Sequence, residues 1–254
     1  MDLQDKHALV TGGGTGIGLD IARGLAAKGA RVTITGRRLD VLEAAAKDLA
    51  GLAPMAMDVS DEGSVRSGIA KAAKARGPVE ICVANAGIAE GQPFEQVTMD
   101  DWRRMMATNL DGVFVTLQAA LATLPEHSPG RMIVMSSIAG VKGLNRAIPY
   151  TVSKHGIIGL IRGLAVEYVQ RPITFNAICP GYVETDIVRQ QVPKVMARQG
   201  VDEDTARSVF AAGNAHNTLL QVDEITAAAL WLCSDGARSV NGQTIEIAGG
   251  QVST

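Results

Sequence analysis

Aromatic residues are scarce in this chain of 254 residues: Phe, Tyr and Trp together make up 4% of it. With hydrophobic residues at 46%, any core must be filled by Val, Ile, Leu, Ala and Met. Cysteine is rarer still, and Cys82, Cys179 and Cys233 are odd in number, far apart and each set in an apolar run (ICVA, AICP, LWLC). That pattern favours reduced, buried thiols over disulfides or metal ligands. No sign of charge dominates: 24 bases face 26 acids for a formal net charge of −2, interleaved along the chain, so the basic stripe that nucleic acid requires is missing. No stretch approaches ~18 apolar residues, and a Gly-rich run stands where an apolar leader would, so neither a membrane span nor a signal peptide is expected. A soluble cytoplasmic protein follows as the expectation. No Pro/Ser-rich linker divides the chain, so residues 1–254 are read as one domain, with two small ones as the alternative.

Glycine is plentiful, at 28 residues, which points to tight turns and close backbone approaches. Short apolar runs recur as HALV (7–10), RVTIT (31–35), APMAM (53–57), EICVA (80–84), RMIVMS (131–136), ITFNAI (173–178) and QTIEI (243–247). Between them, Ile17 to Lys28, Leu39 to Leu49 and Val65 to Arg76 repeat their apolar residues at three and four, the helical period. Strands that are nearly continuous apolar runs, alternating with helices, predict an α/β fold: a doubly wound, Rossmann-type parallel sheet of seven strands with helices on both faces. Asp100 to His127 reads as one extended helix with Gly112 in its middle. The stretch 186–220, helical in pattern but broken by Pro193, Gly200 and Gly213, follows the carboxyl end of a strand; it reads as a substrate lid or as an ordinary surface helical pair.

The run "VTGGGTGIGLDIARGL" places Gly12, Gly16 and Gly18 between the first strand and a helix. In that context glycine lets the backbone approach a pyrophosphate while helix N-terminal amides point at it; a tight turn without a ligand is the alternative. At the end of the second strand, "TITGRRLD" has no acid where a dinucleotide site often binds the ribose 2′-hydroxyl. Arg37 and Arg38 stand there instead. Guanidinium donors suit a 2′-phosphate, so NADP is favoured over NAD, unless the two arginines merely cap the strand in water. In "PYTVSKHG", Tyr150 and Lys154 are one helical turn apart and share a face, a spacing that a solvated Lys beside a half-buried Tyr would also give.

Taken with "NAG" (85–87) and "SS" (136–137), these motifs make the chain resemble the short-chain dehydrogenase/reductase family over essentially its whole length. The motifs fall in the family's order: T-G-x-x-x-G-x-G, "MDVSD" after the third strand, N-A-G after the fourth, Asn109 in the long helix, Ser137 thirteen residues before the Tyr, Y-x-x-x-K, and "CPGYVET" after the sixth. The resemblance implies an NAD(P)(H)-dependent oxidoreductase interconverting a ketone and a secondary alcohol. Tyr150 would donate the proton, Ser137 steady the carbonyl oxygen, Lys154 lower the phenol's pKa and hold the nicotinamide ribose, and Asn109 hold a water that refills the Tyr. A lysine ~4 Å from the phenolate at an effective dielectric of ~20 would supply about 4 kcal/mol before desolvation, comparable to the cost of ionising a phenol at pH 7.

The same resemblance places Asp58 and Val59 beside the adenine, Asn85 and Gly87 along the cofactor channel, and Pro180, Gly181 and Thr185 near the nicotinamide. Thr15 and Ile17 of the Gly-rich turn and Val183 complete the cofactor-binding set. Asp58 and Thr185 have the alternative of capping helices. Around the lid the sequence is similar to 3-hydroxybutyrate dehydrogenases and 3-oxoacyl reductases, so a small carbonyl or alcohol substrate is implied, thioester-linked forms included. Arg131 and Arg171 match carrier-protein docking positions of such reductases, and Lys142, Asn145, Arg146, Tyr182 and Gln191 are candidates for a polar pocket. Ala248 stands where the family often has Asp. The family usually forms homotetramers. A non-catalytic NADP redox sensor and an isomerase or lyase on the same fold are the other classes of function open at this point.

Overall fold

The computed structural model describes residues 3–47 and 49–251. Among these, seven strands form one parallel sheet: β1 (His7–Thr11), β2 (Arg31–Gly36), β3 (Leu52–Ala56), β4 (Ile81–Ala84), β5 (Gly130–Met135), β6 (Ile173–Pro180) and β7 (Thr244–Ile247), in the order β3-β2-β1-β4-β5-β6-β7. Every predicted apolar run is a strand, to within about two residues at its ends. Side chains alternate across the sheet, so neighbouring residues serve different cores. Leu9, Cys82, Met132, Val134 and Phe175 pack on one face under α3 (Glu62–Arg76), α5 (Gly112–Leu121) and α6 (Ile148–Glu167). Ala8, Val10, Ile34, Ile81, Val83 and Ile133 pack on the other, under α1 (Gly16–Ala27), α2 (Leu39–Ala46) and α9 (Val222–Cys233). The three cysteines are free and buried, as their apolar settings implied.

The chain winds outward from β1 to β3 and then returns to lay β4 on the other side of β1. At that reversal two successive crossovers leave the sheet in opposite directions, and a crevice opens at the carboxyl ends of β1 and β4. Thr11 and Asn85 fasten its walls. The Thr11 hydroxyl accepts from Asn85 N and Ala86 N, both at 3.0 Å, while Asn85 Nδ2 donates to Thr11 O at 3.0 Å and to Gly12 O at 3.3 Å.

Three helical expectations change. The predicted Asp100–His127 helix ends at Leu121, and it is split into α4 (Met99–Met106), a π-helical segment (Ala107–Asp111) and α5. Gly112 is needed there because a Cβ would lie 2.7 Å from Val59 O. The helix expected over Leu39–Leu49 closes at Ala46, where Lys47 turns extended (φ −56°, ψ 133°). The third helix starts at Glu62, three residues before the first apolar repeat at Val65, because Asp61 accepts from Ser64 N and caps it. Within 186–220 lie α7 (Asp186–Gln199) and α8 (Glu203–Ala211), divided at Gly200 in the left-handed region (φ 68°). Val188, Val192, Val195, Ala206 and Phe210 form a small core of their own between them. No helix among the described residues is long and apolar enough to cross a membrane.

His7 is fully buried: Nδ1 donates to Gly77 O at 2.7 Å, which leaves Nε2 to accept from the Thr33 hydroxyl at 2.9 Å. Burial lowers its pKa below the ordinary 6.5, against the Gly77 hydrogen bond, so it folds neutral. A histidine with a depressed folded pKa stabilises the fold above its unfolded pKa, and that contribution is lost as the pH falls below it. His7→Leu strands the buried Thr33 hydroxyl and the half-buried Gly77 carbonyl and should lower stability by about 1–3 kcal/mol at pH 7.5. Urea unfolding should show that deficit narrowing between pH 7 and pH 5.

Candidate active site

The ends of β1, β4, β5 and β6 and the start of α6 bring most of the predicted residues to one rim. A cleft of about 240 Å³ is lined by Gly12, Thr15, Arg37, Arg38, Asp58, Val59 and Gly87. Gly12 has φ +64°, and a Cβ there would lie 2.9 Å from Asn85 Nδ2. Gly18 is more confined still, since a Cβ would lie 2.4 Å from Gly12 O. The turn is therefore closed from beneath by backbone and open above. Thr185 sits over it, because a Cβ on Gly16 would be 3.6 Å from Thr185 Cγ2; Thr185 is the N-cap residue of α7 but makes no side-chain cap hydrogen bond. Ile17 packs partly buried against the α1 side of the core.

Arg37 and Arg38 are exposed at the far end of the cleft and make no ion pair among the described residues. Between them and the turn, the Thr35 hydroxyl is buried without a hydrogen-bond partner, a cost that a polar ligand group would remove. Asp58 does not cap α3. Burial works against ionisation of its carboxyl, but hydrogen bonds from the side chain and backbone of Ser60, with Arg37 nearby, outweigh this and hold it below the ordinary carboxylate range. A cradle of glycines, an orphaned hydroxyl and two unpaired guanidiniums fit a phosphate-bearing dinucleotide.

Lys154 is buried at 5% exposure, with Nζ donating to Met135 O at 2.8 Å and lying 5.6 Å from the centroid of the Tyr150 ring. Burial lowers its pKa to about 8. Tyr150 keeps part of its surface open, yet burial raises its phenol's pKa; a hydrogen bond with the Ser137 side chain opposes this, and neighbouring Tyr182 and Cys179 reinforce it. Desolvation thus outweighs the Ser137 hydrogen bond, and Lys154, expected to pull the phenol down, directs a proton at a backbone carbonyl instead. Ser137 is nearly buried, its Oγ accepting from Ala139 N at 3.1 Å.

Asn109 lies in the π-helical segment, fully buried. Its amide makes a reciprocal pair with Ile88, accepting from Ile88 N at 2.8 Å and donating to Ile88 O at 2.9 Å, and Nδ2 also reaches Ser153 Oγ at 3.2 Å. The side chain is therefore engaged in pinning the N-A-G loop to α6. A Cβ on Gly87 would lie 3.2 Å from Asn109 Oδ1 and 3.6 Å from Lys154 Nζ, so a larger residue there would press on both.

Pro180 ends β6, and Gly181 N donates to Ile247 O at 2.8 Å. Val183 is buried and bridges Leu220, closing the base of the α7–α8 excursion. Of the pocket candidates, Lys142 Nζ reaches Gln251 O at 3.5 Å, Tyr182 packs on Phe210 at 6.0 Å between ring centroids, and Arg146 has φ +59°. Arg171 is committed to Pro125 O and Glu126 O at 2.8 and 2.9 Å. Sequence reading passed over Thr11, Ser153 and Ser136, whose only signal was a hydroxyl residue inside a quoted motif, and Asn214, whose buried amide holds Tyr182 N and Tyr182 O, both at 2.8 Å.

The short chain dehydrogenase family profile matches residues 6–195. The chain belongs to the short-chain dehydrogenase family. It is 31% identical to the D-beta-hydroxybutyrate dehydrogenase of Rhizobium meliloti, covering 96% of this chain and 98% of that one. It is 35% identical to the acetoacetyl-CoA reductase of Shinella zoogloeoides, covering 97% and 98%. A solved variant of actinorhodin polyketide ketoreductase with NADPH superimposes with a TM-score of 0.94 at 31% identity, over 100% of both chains. The short-chain dehydrogenase family binds nicotinamide cofactors, and this member is an oxidoreductase acting on CH–OH and keto groups. Because Gly18 has backbone 2.4 Å from where a Cβ would stand, Gly18→Ala should lower stability by about 1–3 kcal/mol. It should also weaken dinucleotide binding at least tenfold, measurable by thermal unfolding and by fluorescence titration.

Proposed function

We propose that this protein reduces a small 3-oxoacyl-type ketone to its secondary alcohol with NADPH, and runs the reverse oxidation with NADP. The observation that carries the reading is the convergence of the Tyr150 phenol, the Ser137 hydroxyl and the buried Lys154, whose Nζ lies 5.6 Å from the Tyr150 ring centroid. The substrate class is supported by the hydroxybutyrate, acetoacetyl-CoA and ketoacyl names of the relatives. The cofactor is supported by the free Arg37 and Arg38, which would take a 2′-phosphate.

Gly12, Thr15, Gly16, Ile17 and Gly18 would hold the pyrophosphate and Asp58 and Val59 the adenine. Asn85, Gly87, Pro180, Gly181, Val183 and Thr185 would line the nicotinamide end. Once bound, the nicotinamide supplies or accepts the hydride. Tyr150 is the acid: a phenol whose pKa is raised keeps its proton at neutral pH and hands it from Oη to the carbonyl oxygen as negative charge develops there. Ser137 donates a hydrogen bond to that oxygen, worth most where water is excluded. Lys154 opposes the charge left on the phenolate. With the Asn109 side chain spent on Ile88, its backbone carbonyl is the group left to hold a relay water.

The stretch 186–220 serves as a lid within a single domain, supported by its separate small core and its place after β6. Glu184 at its base pairs with Arg189 of α7 at 3.1 Å and with Arg207 of α8. A homotetramer is supported by exposed Phe114, Val152 and Val166 on α5 and α6, beside Gly159 and Gly163, which face open space. A reducing cytoplasm suits the three unpaired thiols.

Tyr150→Phe should lower kcat by about 10²–10⁴-fold while cofactor affinity stays within twofold, and near-normal turnover would refute the role. Replacing Arg37 and Arg38 together by Ala should reduce kcat/KM for NADPH on the order of 10- to 100-fold and leave the value for NADH within threefold. Because Lys154 loses its charge as the pH passes about 8, kcat/KM for acetoacetyl-thioester reduction should decline on the alkaline side of that value.

A further inference from the structure

We infer that Ser136, the residue before the proposed substrate-polarising Ser137, is a positioning residue that holds Lys154 in place from the end of β5. The inference rests on the catalytic roles proposed above.

Lys154 is gripped at both ends by two consecutive residues of one strand end. Its side-chain Nζ donates to Met135 O at 2.8 Å, and its backbone carbonyl accepts from Ser136 Oγ at 3.1 Å, 18 residues away in sequence. Both contacts are buried, and Ser136 itself is 3% exposed. A helical carbonyl inside α6 already has its backbone donor four residues on, so the Ser136 bond adds nothing the helix needs. What it adds is a fixed distance between strand and helix. Gly140 leaves the room for it: a Cβ there would lie 2.5 Å from Ser136 Oγ and 2.8 Å from Lys154 O. Since Ser137 follows directly, one strand end sets the carbonyl-polarising hydroxyl, the lysine's backbone and the lysine's ammonium together. The groups with charge or ionisable protons that bear on Nζ are Tyr150, at 5.6 Å from ring centroid to Nζ, and the Cys179 thiol, which also hydrogen-bonds the Ser136 side chain.

Ser136→Ala removes the hydroxyl, and Gly140→Ala pushes it off the Lys154 carbonyl without removing it. NMR titration of the protein with labelled lysine side chains reads Lys154 directly. In either variant the ammonium, released toward water, should titrate at least half a pH unit higher, and kcat for ketone reduction should fall about tenfold with the ketone KM within twofold. An unchanged Lys154 titration in Ser136→Ala overturns the inference, whatever the rate. If Ser136→Ala does not fold, the Gly140→Ala titration decides by the same criterion. The underlying reading fails separately: Tyr150→Phe with near-normal turnover removes the proposed chemistry, whereas loss of turnover there with an unmoved Lys154 in Ser136→Ala removes only the clamp.

Discussion

The reciprocal grip of Thr11 and Asn85 across the reversal in strand order is the contact on which the site depends. Parallel strands β1 and β4 must lie side by side while the chains leaving them turn opposite ways, so their backbone amides and carbonyls run out of sheet partners just where the crevice opens. Thr11 and Asn85 satisfy four of these groups with two side chains. The Gly-rich turn can then rise above β1 with its upper face free, and the N-A-G loop can descend toward Asn109 and Lys154. Without that seam, the Gly-rich turn and the Tyr150–Lys154 end of the crevice would have no common floor.

A second constraint is electrostatic. The crevice buries a phenol and an ammonium within one helical turn, and burial acts on them in opposite directions, keeping the phenol protonated and loosening the ammonium's proton. Their two ionisations are thereby driven apart, the lysine's falling to about 8 while the phenol's rises above its ordinary value. Proton traffic through such a pair is governed by how much solvent the cleft admits as well as by their separation.

Much of this was legible in the residues. The continuous apolar runs mark all seven strands because a sheet covered on both faces leaves no polar alternation to blur the signal. The glycines at 12, 16 and 18 and the Tyr150–Lys154 spacing are readable because steric room and helical period are local properties. Three things were not. The π-helical segment around Asn109 has no compositional signature, since one extra residue in a turn changes no periodicity that a short window can resolve. The sign of the Tyr150 shift depends on how many neighbours surround the phenol, which spacing does not encode. Ser136 and Ser153 gain their meaning from partners 18 and 44 residues distant, so they look like any buried hydroxyl until the helix is docked.

The Val183–Leu220 bridge has a consequence of its own. Glu184 N donates to Leu220 O and Leu220 N to Tyr182 O, both at 2.9 Å, so the chain enters and leaves the α7–α8 excursion through adjacent hydrogen-bonded residues just beyond β6. Everything between them is a closed loop whose ends this bridge already holds together. Lengthening such a loop costs only about 0.6 kcal/mol for each doubling. The α7–α8 segment is therefore free to change in length and composition while the sheet and the crevice at its edge stay fixed, a division that lets one scaffold diverge without relearning how to fold.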